Sequence, residues 1–277
     1  MPDKYAVFGN PVAHSRSPQI HAAFAEQTGE DIDYGRVLVP EDKLQETVFE
    51  FLKEDGKGLN VTVPCKLDAF RLAAQLTPRA KRAGAVNTFM VEPGKKLIGD
   101  NTDGKGFVTD LIDNLNWEVR NKRILMLGAG GAVRGVLEPL LALRPQSVML
   151  GNRTPATARI LATEFTELGE VTGGSYDSIH SRSAFDLIIN GTSASLDGEL
   201  PPLSAEFIDE GCCCYDMMYG AQPTVFMKWA SENGAEHVSD GLGMLVEQAA
   251  ESFSLWRGKT PDTQPVIAAI RADLTGA

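Results

Sequence analysis

Lys66 follows directly on the apolar run Leu59-Asn60-Val61-Thr62-Val63-Pro64, and Asp103 closes Asn101-Thr102-Asp103-Gly104. A lysine just beyond a strand can reach into a cleft. A lysine and an aspartate that converge on a carbonyl carbon form an acid/base pair: partial desolvation loosens the ammonium proton, and the carboxylate keeps the side chain charged and oriented. Addition of hydride to a ketone needs such a proton donor at the developing alkoxide. Taken singly, each of the two reads as an ordinary solvated surface charge.

Other polar residues stand where a purely structural chain has no need of them. Ser15 and Ser17 flank Arg16, and Ser17-Pro18 reads as a helix cap followed by proline at the first helical position. One hydroxyl can cap the helix while its neighbour binds a ligand. Asn60, Thr62 and Asn87 lie on or near strand ends, where unpaired polar groups are expensive. Their roles divide between ligand contact and mutual structural hydrogen bonding. His14, His21, His180 and His237 have no metal-ligand spacing, so no metal is expected.

Gly128-Ala129-Gly130-Gly131-Ala132 separates a strand pattern, Arg123 to Leu127, from a helical pattern reaching about Leu143. A dinucleotide site needs this context: a tight turn, close backbone approach, and a helix N-terminus facing pyrophosphate. The strict G-x-G-x-x-G is not met, because Val133 takes the last position. After the next strand the chain reads Gly151-Asn152-Arg153-Thr154, with no acid for the ribose hydroxyls. A guanidinium there suits a 2′-phosphate, and Thr154 can add a hydroxyl. NADP is therefore expected rather than NAD. The competing reading is a loop arginine beside a Thr154-Pro155 cap.

Strand and helix patterns alternate along the whole chain. Strands are expected at 5–9, 59–64, 86–91, 97–99, 123–127, 147–150, 185–190 and 212–217. Helices are expected from Ser17 to Gly29, over 41–55 with Gly56 as the stop, and over 66–75, 106–115, 157–168, 224–233, 242–256 and 263–274. Repeated β-α-β units imply a parallel sheet with helices on both faces. The fold class is α/β with two domains separated by a cleft. Residues 1–104 plus 242–277 form an N-terminal α/β substrate-binding and catalytic domain, and residues 105–241 form a Rossmann-like, doubly wound NADP-binding domain.

The 277 residues suit two domains on the usual length prior. A net charge of −11 argues against nucleic acid as a partner, and an anionic ligand then needs local positive charge that outweighs the global field. No apolar run is long enough for a membrane helix. Met1 to Tyr5 has no basic n-region leading into an apolar signal, so a cytoplasmic protein is expected. Cys212-Cys213-Cys214 fits neither a metal pair nor a disulfide framework and reads as small apolar filler of a buried strand. A monomer and a homodimer are equally compatible with the sequence.

Several ordered motifs resemble the shikimate dehydrogenase family over essentially the whole length. They are Phe8-Gly9-Asn10-Pro11, Ser15-Arg16-Ser17-Pro18, Asn60 to Pro64 with Lys66, and Gly84-Ala85-Val86-Asn87-Thr88. Further along come Gly99 to Gly104, Gly128 to Ala132, Asn152-Arg153-Thr154, Tyr215-Asp216-Met217, and Asp240 to Leu245 through Gln248. The resemblance implies reversible reduction of 3-dehydroshikimate to shikimate by NADPH, within chorismate and aromatic amino-acid biosynthesis. By the same resemblance, Ser15, Ser17, Asn60, Thr62, Asn87, Tyr219 and Gln248 are expected to hold the substrate's carboxylate and hydroxyls. Lys66 is the expected acid/base, with Asp103 as its partner and a substrate contact.

On the cofactor side, the resemblance assigns pyrophosphate to the glycine loop and the adenosine end to Asn152, Arg153 and Thr154. Asn190, Thr192, Met217, Gly241 and Met244 match positions lining the nicotinamide. The carboxylate would be taken by neutral hydroxyls rather than a charged pocket. The chain departs from the family pattern at Cys65, Pro78 and Gly191, while the catalytic pair is intact. Two other readings stand beside this one: a quinate/shikimate dehydrogenase with broader substrate and cofactor use, and a non-catalytic NADP-binding sensor. Such sensors tend to lose the acid/base pair, which this chain keeps.

Overall fold

The computed structural model describes residues 1–179, 184–194 and 198–276. His180 lies outside the described residues. The chain divides into two compact units, Met1–Gly106 with Leu245–Asp273, and Phe107–Met244 with the chain from Leu274 on.

The first unit runs β1 (Asp3–Gly9), α1 (Ser17–Thr28), β2 (Ile32–Leu38), α2 (Leu44–Lys53), β3 (Gly56–Val61), α3 (Lys66–Leu72), β4 (Gln75–Leu76), α4 (Pro78–Ala83), β5 (Thr88–Glu92), β6 (Lys96–Asp100) and α5 (Asp103–Thr109). Its sheet has the order β2-β1-β3-β5-β6-β4. This sheet is mixed rather than purely parallel, because β5 runs antiparallel to both β3 and β6. The reversal brings the start of β5, Thr88 opposite Asn60, to the edge where β1, β3 and β6 end. Phe8, Val48, Leu59, Val61 and Phe89 form the core on one face. Tyr5, Val7 and Tyr34 pack on the other with Trp256.

The second unit continues through β7 (Arg123–Leu127), α6 (Gly131–Ala142), β8 (Ser147–Gly151), α7 (Pro155–Phe165), β9 (Val171–Gly174), β10 (Phe185–Asn190), β11 (Ile208–Asp216), α8 (Val225–Glu232) and β12 (His237–Asp240). Helices α9 (Leu242–Arg257) and α10 (Gln264–Thr275) follow. The sheet order is β12-β11-β10-β7-β8-β9 and every pairing is parallel. This is the doubly wound order, whose direction reverses between β7 and β10. Alternate residues of β7 enter opposite cores: Ile124 and Met126 lie under α6 and α7, Leu125 and Leu127 under α8. Cys212 and Cys214 are buried in the second of these cores and Cys213 packs partly against the first, as expected of filler.

Several expectations change. Ser17 is not a cap but the first residue of α1; Arg16 is the N-cap and uses no side chain, and the Ser15 hydroxyl accepts the Ser17 N–H at 3.3 Å. Gly56 opens β3 instead of stopping α2, which ends at Lys53 as Asp55 turns with φ +70°. Helix α3 stops at Leu72, because Ala73 is extended and Gln75–Leu76 joins the sheet beside β6. Helix α5 begins at Asp103 and passes into a π-helical turn, Asp110–Asn114. The strands β2, β4, β9 and β12 and the helix α4 carry no clear signal in the sequence.

Candidate active site

Lys66 opens α3 and Asp103 opens α5, so both side chains project from helix starts beside the edge where β3 and β6 end. Lys66 Nζ donates to Asp103 Oδ2 at 2.5 Å, and the two side chains are 14% and 5% exposed. The ammonium is therefore largely withdrawn from water. Asn87 Nδ2 donates to the other carboxylate oxygen, Asp103 Oδ1, at 2.8 Å. With both oxygens engaged by donors, the carboxylate is fixed in plane.

Asn87 is held in turn. Its Oδ1 accepts the Thr102 N–H at 2.9 Å and the Thr88 hydroxyl at 2.8 Å, which fixes the amide's orientation toward Asp103. Gln248, on α9, offers Oε1 to Asn87 Nδ2 at 3.3 Å. Asn60 accepts from the Tyr34 hydroxyl at 2.7 Å and donates to Thr88 and Ser252, each at 3.0 Å. Burial pushes the Tyr34 hydroxyl well above its ordinary pKa, against a smaller opposing hydrogen bond from Ser17. A polar chain thus runs from Tyr34 through Asn60, Thr88 and Asn87 to Asp103 and Lys66, and the Ser15 and Ser17 hydroxyls lie 3.2 Å apart.

Asn60 donates to the Asn87 carbonyl at 3.2 Å, as the structural reading required, and both still belong to one cluster with the acid/base pair. Thr62 differs. It is half-buried just past β3, and its hydroxyl makes no hydrogen bond among the described residues, which leaves it for a ligand. Sequence reasoning missed Tyr34, Thr88, Thr102 and Ser252. Ser252 lies one helical turn beyond Gln248, a spacing that could have flagged it.

In the second unit the remaining residues gather at the C-terminal ends of the parallel strands, where doubly wound sheets bind their ligands. Gly128 follows β7 with φ +103°, a conformation open to glycine, and its N–H reaches the Gly151 carbonyl at 2.7 Å. Gly130 is the N-cap of α6, with no side-chain cap and no acid in the first turn formed by Gly131 and Ala132. The free N–H groups there suit a pyrophosphate. Asn152 donates to the Thr154 carbonyl at 3.0 Å. Thr154 begins α7 as N-cap, yet its hydroxyl makes no capping bond. Arg153 is exposed and meets no carboxylate among the described residues. The donor set fits a phosphorylated adenosine.

Asn190 ends β10 and accepts from the Thr192 hydroxyl at 2.7 Å while donating to Asp216 at 3.1 Å. Met217 follows β11 and donates its N–H to the Asn190 carbonyl at 2.9 Å. A side chain at Gly241 would collide with the Met217 backbone, so glycine alone permits that approach. Met244 is buried at the start of α9, and Tyr219 is half-buried in the loop after β11. Pro78, one of the departures from the family pattern, sits in the first turn of α4 behind the Thr77 cap.

Comparison with known proteins agrees along the chain. The family described as shikimate dehydrogenase substrate binding domain matches residues 7–89, and the shikimate 5′-dehydrogenase C-terminal domain matches residues 241–271. A shikimate dehydrogenase (NADP(+)) of Cellvibrio japonicus is 55% identical over 274 residues, 99% of either chain. Among solved structures, an Ael1 enzyme from Pseudomonas putida is 42% identical with a TM-score of 0.87, covering 96% of this chain and 97% of its own. The shikimate 5-dehydrogenase of Thermus thermophilus, solved with NADP(H) and shikimate, is 33% identical with a TM-score of 0.85, over 98% of this chain and 100% of its own.

Proposed function

Because the chain belongs to the shikimate dehydrogenase family, we propose that it interconverts 3-dehydroshikimate and shikimate with NADP(H), and that Lys66 and Asp103 carry the proton side of the reaction. It is an NADP-dependent oxidoreductase acting on a CH–OH group, in the route to aromatic amino acids. Bound NADPH supplies hydride to the ring carbonyl carbon. Lys66 donates a proton to the carbonyl oxygen as negative charge develops on it, and the neutral amine regains a proton from water. Asp103 holds the ammonium in line and contacts the substrate.

Ser15, Ser17, Asn60, Thr62, Asn87, Tyr219 and Gln248 hold the carboxylate and ring hydroxyls in this reading. The unengaged Thr62 hydroxyl supports it most directly. The turn Gly128 to Ala132 takes pyrophosphate, and Asn152, Arg153 and Thr154 take the adenosine end, where the Arg153 guanidinium suits a 2′-phosphate. Asn190, Thr192, Met217, Gly241 and Met244 line the nicotinamide. The first unit is thus the substrate domain and the second the NADP domain. No helix among the described residues is long and apolar enough to cross a membrane, and we place the enzyme in the cytoplasm. The acid/base pair comes from a single chain, so a homodimer would carry two separate sites.

The observation that carries this reading is the 2.5 Å contact between Lys66 and Asp103, buttressed by Asn87. Lys66→Met is expected to lower kcat for shikimate oxidation by about a thousandfold with KM little changed, within the range for loss of a general acid/base. NADPH absorbance follows the reaction, and near-normal turnover in a folded Lys66→Met chain refutes the assignment.

A further inference from the structure

An acidic chain that binds an anion needs a local cation, and the Ser15–Ser17 segment has one that the sequence does not single out. Arg36, on the edge strand β2, donates Nε at 2.8 Å and Nη2 at 2.6 Å to a single acceptor, the carbonyl oxygen of Ser15. Arg16, Arg71, Arg79 and Arg257 of the same unit each meet a carboxylate. Arg36 meets none among the described residues. It is fastened to Ser15, which with Ser17 belongs to the group proposed to hold the substrate's carboxylate and hydroxyls.

The surroundings reinforce this. Helix α1 starts at Ser17, has no acid in its first turn, and points its positive end at the same place. The Ser15 hydroxyl accepts the Ser17 N–H, so fixing the Ser15 backbone also sets both hydroxyls. We infer that Arg36 is the specificity determinant for the carboxylate of the substrate. It acts through its charge on the incoming anion, and its fork on the Ser15 carbonyl holds that charge beside the two hydroxyls. Neutral hydroxyls make the contact, and the guanidinium held on the Ser15 carbonyl makes an acid preferable to an uncharged analogue in a protein of net charge −11.

The inference rests on the functional reading above, and one set of assays separates the two. Wild type, Arg36→Ala and Arg36→Lys are compared with shikimate and with shikimate methyl ester, at low and high salt. Arg36→Ala is expected to raise KM for shikimate about tenfold, the scale of one partly screened charge contact, with kcat within about twofold. Arg36→Lys recovers most of that loss. KM for the ester stays the same in all three chains, and added salt raises KM for shikimate in wild type but not in Arg36→Ala. An unchanged KM in Arg36→Ala, or equal rises for acid and ester, overturns the inference while leaving the reaction in place. A wild-type chain that neither binds nor oxidises shikimate overturns the functional reading and this inference with it.

Discussion

Arg79 closes a two-pronged ion pair on Asp100, with Nε 2.7 Å from Oδ1 and Nη2 2.6 Å from Oδ2. Asp100 ends β6 and also accepts the Thr77 hydroxyl at 2.5 Å and the Asn101 N–H at 2.7 Å. Burial would raise this carboxyl's pKa, yet Arg79 and Thr77 together hold it below its usual range. The pair therefore anchors the bend that carries Asp103 to Lys66. Arg79→Ala leaves a carboxylate that is 1% exposed without its partner. The expected cost is about 3 kcal/mol in denaturant unfolding at pH 7, with a fall in kcat as Asp103 loses its support. The destabilisation shrinks in acid, because Asp100's contribution is lost as pH falls through its lowered pKa. An Arg79→Ala chain as stable as wild type would show that Asp100 is held by other means.

Arg153 is predicted to select the phosphorylated cofactor. Its removal as Arg153→Ala should raise KM for NADP+ by about ten- to a hundredfold, the size of a lost charge-assisted contact. KM for NAD+ should hardly move. Initial rates with the two nucleotides decide, and equal losses for both would assign Arg153 to something other than the 2′-phosphate.

His21 is fully buried between Tyr34, stacked at 4.1 Å, and the rings of Phe24, Phe253 and Trp256. Neither ring nitrogen makes a hydrogen bond with another described residue. Burial pushes its pKa from the ordinary 6.5 down to about 3. The unfolded chain then binds a proton that the folded chain refuses, so stability falls as pH drops below 6.5 and goes on falling toward 3. The slope is at most about 1.4 kcal/mol per pH unit for one proton. His21→Phe should flatten this part of the profile, measured by urea unfolding between about pH 7 and about pH 5. An unchanged acid slope would assign it to other groups.

The second unit is the more legible of the two from sequence. Its central strands are continuous apolar runs such as Arg123 to Leu127, and a strand, a glycine turn and a helix in succession have one physical reading. The first unit is less so. Strand β2 is an edge strand, Ile-Asp-Tyr-Gly-Arg-Val-Leu, with only Tyr34 buried, so its pattern does not declare itself. Arg36 is hidden with it. Lys66 and Asp103 are visible because acid/base chemistry restricts residue type. Ser252 is not, since a helical serine is ordinary until folding brings it to Asn60, 192 residues away. Ser17 reads as a cap because of its proline neighbour, but the Ile20 N–H already bonds the Arg16 carbonyl, which starts the helix one residue earlier.

The one strand that runs backwards in the first sheet has an effect on how freely the protein can vary. Reversal of β5 sends the hairpin it makes with β6 to the far side of the sheet, where Gly94 and Lys95 turn with positive φ in exposed positions. Lengthening or recutting that hairpin perturbs neither Asn87 nor Asp103, since each lies at the opposite end of its strand. Drift in this turn is therefore cheap, whereas a single-residue insertion between Asp100 and Asp103 would rotate the carboxylate away from the amine it serves.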